Sequence, residues 1–174
     1  MPDLHPPDIA VLAPLLGTWV GPGGAGEYPH HRAVHVSGDR DVRPCRQAVP
    51  GYSQRTKAAD DGRPLHAESG YVRVPEPGRV ELLLAHPTGI VEVLEGTLTT
   101  HPLRIDVTAT TIGRSASAKE VTALARSFRC DGDELTYTVQ MGAVGQPLQH
   151  HLSATLRSSH EHDDETRRPD PGVQ

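Results

Sequence analysis

Histidine is the residue through which this chain could most readily do chemistry. There are eleven among 174 residues, and context divides them. His5, His101, His160 and His162 lie in termini or turns and read as solvated. His66, in Leu65-His66-Ala67-Glu68-Ser69-Gly70-Tyr71, and His86, in Ala85-His86-Pro87-Thr88-Gly89, lie in or beside extended segments, as does the pair His150-His151. An imidazole on a strand can ligate a metal, carry a proton or simply complete a hydrogen-bond network. No His-Glu-x-x-His, Cys-x-x-Cys or His-x-His-with-carboxylate spacing supports zinc, and no Gly-x-Ser-x-Gly or phosphate-cradling loop is present. Cys45 and Cys130 are too few for a disulfide framework and read as ordinary reduced thiols.

The elements that must position these imidazoles are predicted to be strands. Residues 8–16 place Ile9, Leu12, Leu15 and Leu16 at helical spacing behind Asp8, with Pro14 limiting the helix to about two turns. After Gly17 the apolar period becomes two. Asp60-Asp61-Gly62, Pro75-Glu76-Pro77-Gly78 and Asp131-Gly132-Asp133 are turn signals. Between them lie extended segments at 70–74, 79–85, 90–98, 103–110, 121–129, 135–141 and 148–157. With the Trp19–Tyr28 segment and whatever precedes Gln54, this predicts about ten antiparallel strands in an all-β meandering barrel, a size that encloses one small ligand. Residues 8–157 form the barrel domain in this reading, 1–7 a flexible start and 158–174 a disordered polar tail.

Composition narrows the function. The net charge of −5 opposes a nucleic-acid partner, because phosphate binding needs a basic surface. No apolar run is long enough for a membrane helix, and Met1–Pro7 lacks the pattern of a signal peptide, so a cytoplasmic location is expected. The single Phe and single Trp are few for a barrel core.

Gly17-Thr18-Trp19-Val20-Gly21-Pro22-Gly23 is a Gly-x-Trp-x-Gly-x-Gly string, followed by Gly26, Tyr28 and Pro29. Its glycines allow close backbone approach, and Trp19 is placed to plug the barrel floor below the helix. Together with 64–71, 85–89 and 140–156, in that order and spacing, this string resembles the nitrobindin family from about Leu12 to Arg157. The resemblance implies a fatty-acid-binding-protein-like barrel of ten strands with one b-type haem per subunit at its mouth. It also implies binding of nitric oxide and isomerisation of peroxynitrite to nitrate. Matched by position, His151 corresponds to the iron ligand, which makes it the metal-binding and catalytic candidate. His66, His86 and Met141 correspond to pocket residues, and Lys119 to a partner for a haem propionate. A second copy of the chain is the protein partner compatible with this reading. The alternative from another functional class is a haem-free barrel carrying a small apolar ligand.

Two features of the sequence run against the pattern. Strict alternation gives His150 the same face as Leu152, Ala154 and Leu156, whereas His151 shares a face with Ser153 and Thr155, so parity and family register select different ligands. Residues 30–51 place Arg40, Asp41, Arg43 and Arg46, with Pro44 and Pro50, where a barrel wall belongs. Unpaired buried charges cost several kcal/mol each, so this strand is expected to pair poorly. Permitted codons for residues 30–50, read one base out of frame, give TIAPFTYLETVTFGHVGKPFL, an alternating aromatic strand that resembles the missing family segment. Resequencing the gene tests this reading: AGA or CGT at Arg32 would be incompatible with that string and make the charged strand native.

Overall fold

Alternation that puts an apolar side chain on every second position commits the chain to half-buried strands. The computed structural model describes residues 9–28, 31–44, 49–58 and 60–159. After a 3-10 helix at Ile9–Leu15 come β1 (Gly17–Tyr28), β2 (His31–Pro44), β3 (Pro50–Ala58), β4 (Pro64–Arg73) and β5 (Arg79–His86), then β6 (Ile90–Thr100), β7 (Leu103–Arg114), β8 (Val121–Asp131), β9 (Glu134–Ala143) and β10 (Gln149–Ser158). Each strand pairs antiparallel with the next, and β10 returns to pair with β1, closing the barrel. Gly62, Gly78 and Gly132, in the turns the sequence marked, have φ of 71°, 78° and 60°, which L side chains rarely adopt.

The short helix expected over residues 8–16 forms at Ile9–Leu15 as a 3-10 helix, and two other expectations are corrected. Its spacing of three stacks Leu12 and Leu15 onto one buried face, and Pro14 has no N–H to give an α-helical ladder. Asp8, the expected cap, lies outside the described residues. β4 begins at Pro64 instead of Gly70, so His66 and Glu68 are strand residues. The second strand forms despite its composition: its backbone pairs with β1 from Gly17↔Val42 to Tyr28↔His31 and with β3 from Val36↔Ala58 to Pro44↔Pro50. The proposed flexible start and most of the polar tail lie outside the described residues. Ser158 ends β10, and Ser159 N–H donates to Thr18 O at 3.0 Å.

The helix closes one end of the barrel. Trp19 is buried there, and its Nε1–H donates to Leu15 O at 3.0 Å, so Trp19 plugs the floor as its position suggested. Leu12, Leu15, Val42, Val72, Val80, Leu82, Leu98, Ile105, Phe128 and Leu135 pack with it into an apolar floor. Cys130 belongs to this layer, with Sγ 3.2 Å from Pro14 O.

Close backbone approach explains two glycines. A Cβ on Gly21 would stand 2.6 Å from Thr155 O and 2.7 Å from Leu156 Cδ2, so only glycine lets β1 lie on β10 there. A Cβ on Gly70 would collide with the carbonyl of Leu83 on β5. Gly70→Ala should therefore force β4 from β5 and cost about 1–3 kcal/mol, whereas Gly62→Ala, in open space, should show only the smaller penalty of its positive φ. Urea unfolding of both variants checks this; equal losses would mean the β4–β5 approach is not constrained.

Candidate functional site

Opposite the floor, the barrel ends in the connections after β3, β5, β7 and β9. His66 lies near the start of β4, His86 ends β5, and Met141 and His150-His151 flank the β9–β10 connection. Lys119 is in the β7–β8 connection, exposed beside half-buried Ala118. All of the expected pocket residues thus gather at one end. The glycine string does not join them. It begins at the floor with Gly17, whose φ is 127°, and Trp19. Gly23 falls between Gly21 and Gly24, where the register to β2 shifts. Its role is packing and bending.

Below the mouth, the inward faces of six strands converge on a buried charged cluster. Arg126 of β8 donates from Nη1 and Nη2 to the two carboxylate oxygens of Glu68 on β4, at 2.8 and 2.9 Å. The same guanidinium reaches Glu92 of β6 from Nε at 3.2 Å and from Nη2 at 3.0 Å. Tyr52 on β3 donates its hydroxyl to Glu68 Oε1 at 2.6 Å, and Gln54 Nε2 donates to the hydroxyl of Tyr137 on β9 at 2.9 Å. His66 Nε2 stands 2.9 Å from Glu68 Oε2. His86 lies between the acids, with Nε2 2.6 Å from Glu92 Oε1 and Nδ1 3.7 Å from Glu68 Oε2. The 2.6 Å approach is a close contact without hydrogen-bond alignment. The two imidazole rings are tilted, with centroids 5.2 Å apart.

Burial alone would push both acids towards neutrality. For Glu68, burial is outweighed by the Arg126 charge and by His66, which hold its carboxyl well below the usual range. For Glu92, burial is outweighed by the His86 contact and the Arg126 charge, and its pKa also falls. Arg126 resists the same burial because the two carboxylates raise its pKa. Lowered carboxylate pKa values stabilise the fold above the ordinary glutamate range of about 4.3, and that contribution is lost as pH falls through the folded values.

Sequence reasoning singled out His66 and His86 but missed Glu68, Glu92, Arg126, Tyr52, Gln54 and Tyr137 as members of one cluster. The signal was parity. Glu92 alternates with Ile90 and Leu94, Arg126 with Leu124 and Phe128, and all four of these apolar neighbours are buried. A charge at an apolar parity position is an inward charge.

The structure also alters the parity argument for His150 and His151. His150 pairs with Gln140 while Leu152 pairs with the adjacent Val139, so His151 is an extra residue in a β-bulge. The bulge resets the alternation. Leu152 faces inward with Val139, His150 falls on the side of exposed Gln140 and is itself exposed, and His151 is half-buried. Met141, Leu152, Ala109, Ile112 and Ala118 are partly buried apolar groups packed on the core towards the same end. An imidazole beside such a rim suits an apolar macrocycle with an iron to ligate.

Arg126→Met should remove the compensating charge, leaving burial to raise both glutamate pKa values. The expected loss is about 3–5 kcal/mol at pH 7, partly regained as pH falls towards 5 because the orphaned carboxylates take up protons. Urea unfolding at both pH values reads the difference, and a loss independent of pH would mean the cluster does not hold ionised acids.

The family described as "THAP4-like, heme-binding beta-barrel domain" matches residues 8–158. A protein named Peroxynitrite isomerase 1 from Mycolicibacterium paratuberculosis is 55% identical over 156 residues, covering 88% of this chain and 96% of the relative. Peroxynitrite isomerase from Nocardia farcinica is 54% identical over 156 residues, covering 88% and 92%. The crystal structure of Rv2717c from M. tuberculosis superposes with a TM-score of 0.82 at 48% identity, covering 90% of this chain and 99% of that one. With a ten-stranded barrel, a half-buried imidazole at its apolar rim and this agreement over nearly the whole fold, the chain belongs to the THAP4-like haem-binding β-barrel family.

Proposed function

We propose that this protein is a haem-dependent peroxynitrite isomerase, with one b-type haem per subunit held by His151. The observation that carries the choice of residue is the bulge in β10, which sets His151 apart from exposed His150. Relatives of about half identity over most of the chain carry the name peroxynitrite isomerase, which supports the reaction.

When bound, haem would supply an iron able to take a small ligand and promote rearrangement of peroxynitrite to nitrate. The chain's residues do the rest. His151 holds and orients the group, and the bulge fixes where the ring stands. Met141, Leu152, Ile112 and Ala109 supply apolar wall and exclude water. Lys119, exposed on the β7–β8 connection, offers a cation to a propionate. His66 and His86 line the inner part of the pocket, linked through Glu68 to Arg126, which keeps their end polar. The sealed floor leaves the mouth as the way in. Nitric oxide is a second small molecule for the same pocket, and a homodimer is the assembly this reading allows.

Haemin titration of the purified protein should give a Soret band that His151→Ala abolishes and His150→Ala leaves intact; the reverse result would return the ligand to His150. The ferric protein should speed peroxynitrite decay and protect free tyrosine from nitration. Decay no faster than in buffer would leave a haem-binding role alone, and absence of a Soret band would favour the apolar-ligand carrier.

A further inference from the structure

We propose that His66, Glu68 and His86 form a second metal site, made of residues distinct from His151, for a divalent first-row transition ion of the zinc or iron(II) class. Two histidines and one carboxylate are a complete protein donor set for such ions. One nitrogen from each imidazole and one Glu68 oxygen all lie within 4.8 Å of one another. An ion bound at about 2.0–2.2 Å to each donor spans ligand pairs up to about 4.4 Å apart. The 2.9 Å from His66 Nε2 to Glu68 Oε2 and the 3.7 Å from His86 Nδ1 to the same oxygen already fall within that span. A small adjustment of the imidazoles completes the site.

His86 points to a cation independently of this spacing. Its side chain is only 4% exposed, and Nε2 stands 2.6 Å from the Glu92 carboxylate without hydrogen-bond alignment. Placing the ring proton on Nε2, beside that acid, leaves the Nδ1 lone pair facing Glu68 Oε2 across 3.7 Å. A nitrogen lone pair and a carboxylate oxygen that face each other repel unless a cation stands between them. The surroundings resemble those of bound metals, where outer carboxylates and hydrogen-bond donors orient the ligands. Glu92 holds the far side of His86, while Arg126 and Tyr52 fix Glu68. On binding, the ion takes the place of the His66 Nε2 proton, which moves to Nδ1 of that ring. The charges also leave room for a cation: Glu68, Glu92 and Arg126 sum to −1 (−1 −1 +1). A divalent ion brings the cluster to +1, which an anion on an open coordination position would cancel. The way in is from the mouth, where the His66 side chain is 25% exposed.

The test uses the full chain free of haem, so that failure of the haem reading stays separate. Equilibrium dialysis against Zn2+ should give one tightly held ion per chain, and Co2+ should give visible d–d bands. His66→Asn, at the half-exposed position least able to disturb folding, and His86→Asn should each weaken Zn2+ by more than the roughly 10–100-fold that loss of an outer partner costs. Glu92→Gln should fall within that range. His151→Ala and His150→Ala should leave this ion in place. Zn2+ affinity unchanged by His66→Asn in a folded variant would overturn the site and assign any bound zinc to other histidines. So would 15N spectra showing His86 protonated on both nitrogens and unmoved by Zn2+, because the cation between the two acids would then be a proton.

Discussion

A guanidinium shared by two carboxylates is the interaction on which the barrel interior depends. Arg126 joins β8 to β4 through Glu68 and to β6 through Glu92, with all three side chains removed from water. Coulomb attraction in such surroundings is strong, but so is the cost of taking the charges out of water. The balance is favourable because the carboxylate oxygens are well supplied with donors: Tyr52 and Arg126 for Glu68, with His66 beside it, and Arg126 for Glu92. Removing any partner exposes the full cost. The cluster therefore fixes the relative positions of strands that are not neighbours in the sheet, and with them the imidazoles they carry.

The barrel interior is consequently three layers of alternating polarity stacked end to end. At the floor, Trp19, Leu12 and Leu15 close an apolar layer against the 3-10 helix. Above it lies the charged belt, and above that a rim of partly buried apolar groups with His151 in its bulge. Among the described residues, a macrocycle with an apolar body and charged edge meets matching surroundings at the rim. Shape closes the barrel, and polarity decides where a ligand can stay.

Much of this was legible in the residues. Alternation such as Leu135, Tyr137, Val139 predicted strands that exist, and the Asp/Gly turns fall where they were read. The gathering of His66, His86, Met141 and Lys119 at one end came from family position. What alternation could not show was a break in itself. The bulge at His151 is set by the register between β9 and β10, a relation between two strands that neither sequence contains alone. The same limit hid the cluster, since Glu68, Glu92 and Arg126 are far apart in the chain and meet only when the sheet curls shut. For β2, side-chain composition argued against pairing, but the backbone partners of β1 and β3 hold it in register.

The place of Cys130 has a consequence for survival under oxidative load. Its sulfur is packed below the helix, and burial, with Asp131 nearby, raises the thiol pKa. Oxidants attack the thiolate far faster than the thiol, and only where they can reach it. Set in the layer most remote from the mouth and held protonated, Cys130 is poor fuel for the nitrogen oxidant that the pocket is proposed to consume. The plug that gives the barrel its floor thus also keeps this thiol apart from the pocket.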